Sequence, residues 1–132
     1  MRGYIANIEK LTLANNNFRT VLYTASHCQL VVMTIPPGSD IGEEVHEEND
    51  QFFRVEKGTG QVVIDGVTHE ISDGMAIVVP AGATHNLVNT SPTESLRLYT
   101  LYSPPHHVDA IVHRTKEEAQ KDDEAYDGIT TE

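Results

Sequence analysis

Between Gly38 and Asn89 the chain carries fixed residues at fixed intervals, and these leave room for little except short strands and tight turns. The first set reads Gly38, five residues, Glu44, one residue, His46, four residues, Gln51, six residues, Gly58. The second reads Gly74, five residues, Pro80, one residue, Gly82, two residues, His85, three residues, Asn89. Glycine admits positive φ and proline lacks a backbone donor, so both punctuate regular structure. What lies between them must be short.

The intervening segments are rich in β-branched and aromatic residues. Phe18 to Thr24, Gln29 to Ile35, Gln51 to Glu56, Gln61 to Asp65, Val67 to Ile71, Met75 to Val79, Thr84 to Asn89 and Leu96 to Tyr102 all read as strands. Asn15 to Asn17 reads as a turn, and Asp65-Gly66 as a two-residue hairpin turn. Met75 to Val79 is apolar throughout and reads as a strand buried on both faces. The rhythm predicts an all-β jelly roll or sandwich of eight to ten strands, with no interior helix. Residues 1–114 form the barrel domain in this reading, with Ser103 to Arg114 as a linker. Residues 115–132 form an acidic tail. Thr115 and Glu118 have capping-box spacing and open a short C-terminal helix, whose polar end is expected to fray.

The two spaced sets resemble the signature motifs of the cupin family. The second matches at every fixed position. The first matches in spacing but has Glu44 where a His is usual and Gln51 where a Glu is usual. The resemblance implies a double-stranded β-helix, a jelly-roll barrel with a divalent metal inside. Glu44, His46, Gln51 and His85 stand at the matching ligand positions. Alternation on a strand points Glu44 and His46 the same way, and Gln51, Phe53 and Val55 inward together. Two imidazoles with one carboxylate is a non-haem Fe(II) pattern, and the oxygen donors favour iron, manganese or zinc, with nickel as a further candidate. Gln51 serves as a weak fourth ligand or a neighbouring donor, and a weakly held or absent metal stays open.

The other histidines read differently. His27 and His69 are expected at the surface. His106, His107 and His113 are expected in a solvated tail; the alternative folds that tail over the barrel mouth and lends one of them to the site. Arg54 projects outward by alternation, and Arg19 and Arg97 have no secure inward assignment. Phe52 and Tyr99 face outward, which suggests a homodimer through that sheet; small cupins typically dimerise so.

Composition sets limits on partners. A length of 132 residues suits one domain. The formal charge of −11 repels phosphate backbones, so nucleic acid is excluded as a partner. No apolar run approaches the ~20 residues of a membrane-spanning helix. Cys28 is the only cysteine, which excludes an internal disulfide. The opening MRGYIANIEK lacks the apolar run of a signal peptide, and a cytoplasmic protein is expected. Two functions fit. One is a metal-dependent enzyme, of oxygenase or isomerase type, acting on a small polar metabolite. The other is a non-catalytic module binding a sugar or organic acid, with weak or no metal. Neither motif carries an extra Tyr, Lys or His as general base, so catalytic residues stay unassigned. Cupins with a stretch like VHEENDQFF are often labelled similar to mannose-6-phosphate isomerase, but a phosphosugar needs basic side chains in the pocket, and Arg54 projects outward by alternation.

Overall fold

The computed structural model describes all 132 residues, Met1–Glu132. Ten strands run in chain order: β1 (Arg19–Thr24), β2 (Gln29–Ile35), β3 (Glu44–Val45), β4 (Asp50–Lys57), β5 (Thr59–Ile64), β6 (Val67–Ser72), β7 (Ala76–Val79), β8 (Thr84–Asn89), β9 (Leu96–Ser103) and β10 (Val112–His113). They make a six-stranded sheet in the order β10-β1-β2-β9-β4-β7 and a four-stranded sheet in the order β3-β8-β5-β6. All pairs are antiparallel. This is the expected jelly roll.

Alternation decides what lies between the sheets. Gln51, Phe53 and Val55 of β4, Leu96, Leu98, Thr100 and Tyr102 of β9, and His85, Leu87 and Asn89 of β8 are all buried. Each fully buried large apolar side chain contributes about 1.5–3 kcal/mol. Gln51, Thr100, Tyr102 and His85 lie toward one end, where the site forms, and Asn89 lies at the other end of β8. β7 departs from its reading. Ile77 and Val79 are buried, but Val78 is 65% exposed. The strand is an edge of the larger sheet, so its second face has no layer to pack on, apolar or not.

The spaced residues have local duties. Asp65 (φ 46°) and Gly66 (φ 80°) make the β5–β6 hairpin turn as the dipeptide predicts. Gly58 combines a φ of 113° with a tight approach to Ser95, whose carbonyl oxygen would lie 2.8 Å from any Cβ there. Buried Asn89 donates through Nδ2 to the carbonyls of Ile35 and Glu94 and accepts from the Ser91 N–H. It ties the ends of three segments together.

Both chain ends differ from expectation. A helix that the strand rhythm did not reveal, α1 (Ile8–Ala14), precedes β1. Asn7 caps it by accepting from the Lys10 N–H, and Ile8, Leu11 and Thr12 share the less exposed face. It packs on the outer side of the larger sheet, where the Asn15 carbonyl accepts from Thr34 and Arg97. Phe52 and Tyr99, half-buried on that side, pack on each other with centroids 6.2 Å apart.

At the other end the expected helix is present as α2 (Lys116–Lys121), with the Thr115 hydroxyl accepting from the Glu118 N–H. The following residues are not frayed. The Tyr126 N–H donates to the His106 carbonyl and the Thr131 N–H to that of Thr24. The Glu132 carboxylate accepts from the Arg2 and Gly3 N–H groups. The expected linker also holds β10, which pairs with β1. No helix is long and apolar enough to cross a membrane.

Candidate metal centre

The β3–β8 pairing places Glu44 directly across from His85. His46 follows one residue past β3, and its carbonyl accepts from the Gly82 N–H, so the Pro80–Gly82 turn holds the histidine backbone in place. Glu44, His46 and His85 therefore meet, with their nearest ligand atoms all within 4.8 Å of one another. Glu44 Oε2 lies 3.0 Å from His46 Nε2 and 3.9 Å from His85 Nε2. The His85 side chain is 1% exposed, that of His46 9% and that of Glu44 29%.

The donor inventory favours a cation. His85 Nδ1 lies 3.1 Å from the Ala83 carbonyl, which can only accept, so this nitrogen carries the proton. The lone pair of the other nitrogen then faces the site, and that buried Nε2 has no hydrogen-bond partner. Gln51 lies in the same interior. Its Nε2 donates to Thr100 Oγ1, and its buried Oε1 has no partner. Two orphaned acceptors and a carboxylate want a positive charge between them. Glu44 is already prepared for one. Burial acts to raise its pKa, but the hydrogen bond from His46 and the nearby His46, Arg19 and His85 outweigh it and hold the carboxyl below its usual range. The Glu/His/His set can hold a metal ion, as the family resemblance implied. Gln51 is inside the barrel as alternation predicts.

Tyr102 escaped the sequence reading, and the three tail histidines follow its alternative, not the solvated tail. Tyr102, 1% exposed, packs edge-on to His46 with centroids 5.8 Å apart. Burial raises its pKa, so it stays a phenol. His106 lies 4.3 Å from His46, centroid to centroid. Burial, then the neighbouring His107 and His46, lower its pKa to about 4. His107 and His113 are buried, at 5% and 4% exposure, and not solvated. The tail folds over this end of the barrel, and His106 is the one it brings to the site. The parity of Tyr102 with Leu96, Leu98 and Thr100 was the available signal; nothing local marked the histidines.

The tail also braces the site through two chains of hydrogen bonds. Glu124 accepts from His107 Nδ1, whose Nε2 lies 3.2 Å from the Tyr102 hydroxyl. Asp122 lies 2.9 Å from His113 Nε2, and His113 Nδ1 accepts from Arg19 Nη1 at 3.1 Å. Arg19, left unassigned by the sequence, is 7% exposed. It shares its strand face with buried Val21, which is the alternation that could have placed it.

Comparison with known proteins gives this arrangement a family. The Cupin domain family matches residues 31–102. Uncharacterized protein YrkC of Bacillus subtilis is 43% identical over 124 residues, covering 89% of this chain and 66% of its own length. Uncharacterized protein L612 of Acanthamoeba polyphaga mimivirus is 44% identical over 108 residues, covering 79% of this chain and 67% of its own. The chain thus spans about two thirds of the length of these curated relatives. The crystal structure of BH2720 from Bacillus halodurans is 41% identical with a TM-score of 0.89, covering 92% of this chain and 96% of that one. The chain belongs to the cupin family.

Proposed function

We propose that the protein is a metal-dependent enzyme acting on a small polar metabolite, with Glu44, His46 and His85 holding a divalent ion. The observation that carries the reading is the buried, partnerless Nε2 of His85 facing the Glu44 carboxylate. A two-His, one-carboxylate set leaves coordination positions open, and iron is its foremost occupant, with manganese and zinc next. A bound ion of this kind supplies Lewis-acid or oxygen chemistry to a substrate at the open positions.

The chain's own residues do the rest. Gln51 presents a carbonyl oxygen fixed by its bond to Thr100. Tyr102 keeps its proton. His106, neutral at physiological pH, is the proton acceptor that neither motif contains. Its placement beside His46 favours an enzyme over a passive binding module, because a module needs no base there. The Pro104–His106 stretch and the tail cover the barrel end and restrict water.

Metal analysis of protein purified without chelator tests this. About one equivalent of iron, manganese or zinc is expected in the wild type, and a trace in His46→Ala. Equal metal in both overturns the site. A wild type that never loads metal leaves the ion pair of Glu44 and His46 as the resting site of a metal-free binding module, the competing function.

A further inference from the structure

A cavity of about 190 Å³ lies between the barrel end and α2, bordered by Glu44, Arg19, His107, Lys116, Asp122 and Glu124. Its carboxylates are all engaged: Glu44 with His46, Asp122 with His113, Glu124 with His107 and the Val108 N–H. Lys116 pairs with Asp40. Arg19 is the exception. It is 7% exposed, takes part in no ion pair, and makes one side-chain hydrogen bond, from Nη1 to His113. Its Nε is buried without a partner. Glu44 and Glu124 act on it only across the cavity, and a buried guanidinium with no directly bonded counter-ion is costly, so the site has a use for an anion.

We propose that Arg19 receives the carboxylate of a small organic acid in this cavity, beside Glu44. The placement rests on the metal-site reading above. His113 and Asp122 fix the guanidinium from one side through Nη1, which leaves its other N–H groups to meet a carboxylate. Charge selects the class. Asp122 and Glu124 are each taken up by a histidine and Lys116 by Asp40, so Arg19 is the charge in this lining without a bonded partner of opposite sign. The three surrounding carboxylates disfavour a doubly charged phosphate. A short acid, bonded to Arg19 at its carboxylate, extends its remaining polar atoms toward Glu44.

The test compares lactate with its neutral isostere lactamide, by ligand-observed NMR titration of zinc-loaded and metal-free protein. Lactate is expected to bind at least tenfold more tightly than lactamide. Arg19→Gln is expected to erase that preference while zinc content stays unchanged, and Arg19→Lys to keep part of it. Equal binding of the two ligands by the wild type overturns the proposal, and so does an Arg19→Gln protein that keeps the preference. Should Arg19→Gln fail to fold, the wild-type comparison and Arg19→Lys decide. The two readings fail separately. A wild type that takes no zinc yet prefers lactate supports the anion site and sinks the metal one; a wild type that holds zinc and shows no preference does the reverse.

Discussion

The stretch from Gly38 to Asn89 and the two chain ends build opposite walls of the same site, by different physical means. The motif stretch positions side chains through backbone. Glu44 faces His85 because two strands pair in one register, and His46 is held by a bond from its own carbonyl to a turn. The ends add bonds between side chains to strand pairing, as where Arg19 sits directly across from His113. Arg19 is steered by His113 and Asp122, and Tyr102 by His107 and Glu124. Backbone placement tolerates few substitutions and fixes a ligand set. Placement through side-chain chains can be re-tuned one residue at a time, and it suits the part of a site that meets the ligand. The family match, residues 31–102, covers the backbone-built wall and omits both ends.

The contrast can be broken first at the backbone. A Cβ at Gly60 would stand 2.2 Å from the Val88 carbonyl oxygen, a contact that no rotamer change relieves. Gly60→Ala is therefore expected to cost more than about 3 kcal/mol, since β5 must part from β8, the strand that carries His85. Urea denaturation reads this directly. A loss below about 1 kcal/mol would show that the wall is not rigid.

Next in size is the ligand set. His85→Ala removes an imidazole that backbone pairing alone has placed, and it is expected to weaken metal binding more than about 100-fold. Gln51→Ala removes a neutral oxygen and is expected to weaken it about tenfold, whereas Gln51→Glu adds a charged donor and tightens it. Competition against a metallochromic indicator ranks the three proteins. Equal losses for His85→Ala and Gln51→Ala would erase the distinction between ligand and helper.

What the sequence made legible follows the same division. Glu44, His46 and His85 were readable because the resemblance of the spaced motifs pointed to them, and alternation placed Gln51 inside the barrel. Strand alternation correctly placed Phe53 and Val55 inward and Arg54 outward. It misjudged Met75 to Val79, because an apolar run does not say whether its strand sits in the middle of a sheet or at its edge. α1 was missed because seven residues carry too little periodicity. His106, His107 and His113 were read as solvated because their burial depends on the following tail, Asp122, Glu124 and Tyr126, folding back, and on Arg19 and Gln29 from a distant part of the chain. No local pattern encodes a tertiary contact of that kind.

The smallest expected effect tests the tail wall alone. His107 and Glu124 form a bonded pair whose proton affinities are both altered. Burial lowers the His107 pKa, against the pull of Glu124. Burial acts to raise that of Glu124, but hydrogen bonds from His107 and the Val108 N–H bring it below its usual range. The fold thus favours neutral imidazole and ionised carboxylate, and the stability consequences follow in order of pH. An unfolded His takes up a proton near about pH 6.5, while folded His107 resists until lower pH, so its contribution is full above about 6.5 and is lost as pH falls toward its folded value. Unfolded Glu titrates near about 4.3, so the Glu124 contribution is full above that pH and is lost as pH falls through its own lower value. Tail stability should be level above neutrality and decline in two stages on acidification. Amide protection of Val108 and Tyr126, whose N–H groups bond Glu124 and the His106 carbonyl, follows the tail without the barrel. Glu124→Gln keeps an acceptor but loses the charge. It is expected to lower protection at those two amides by about 1 kcal/mol at pH 7 and to remove the second stage, with barrel amides and metal content unchanged. If protection at Val108 and Tyr126 instead stays level from pH 7.5 to pH 4, the pair does not hold the tail, and this wall of the site is braced by Asp122 and His113 alone.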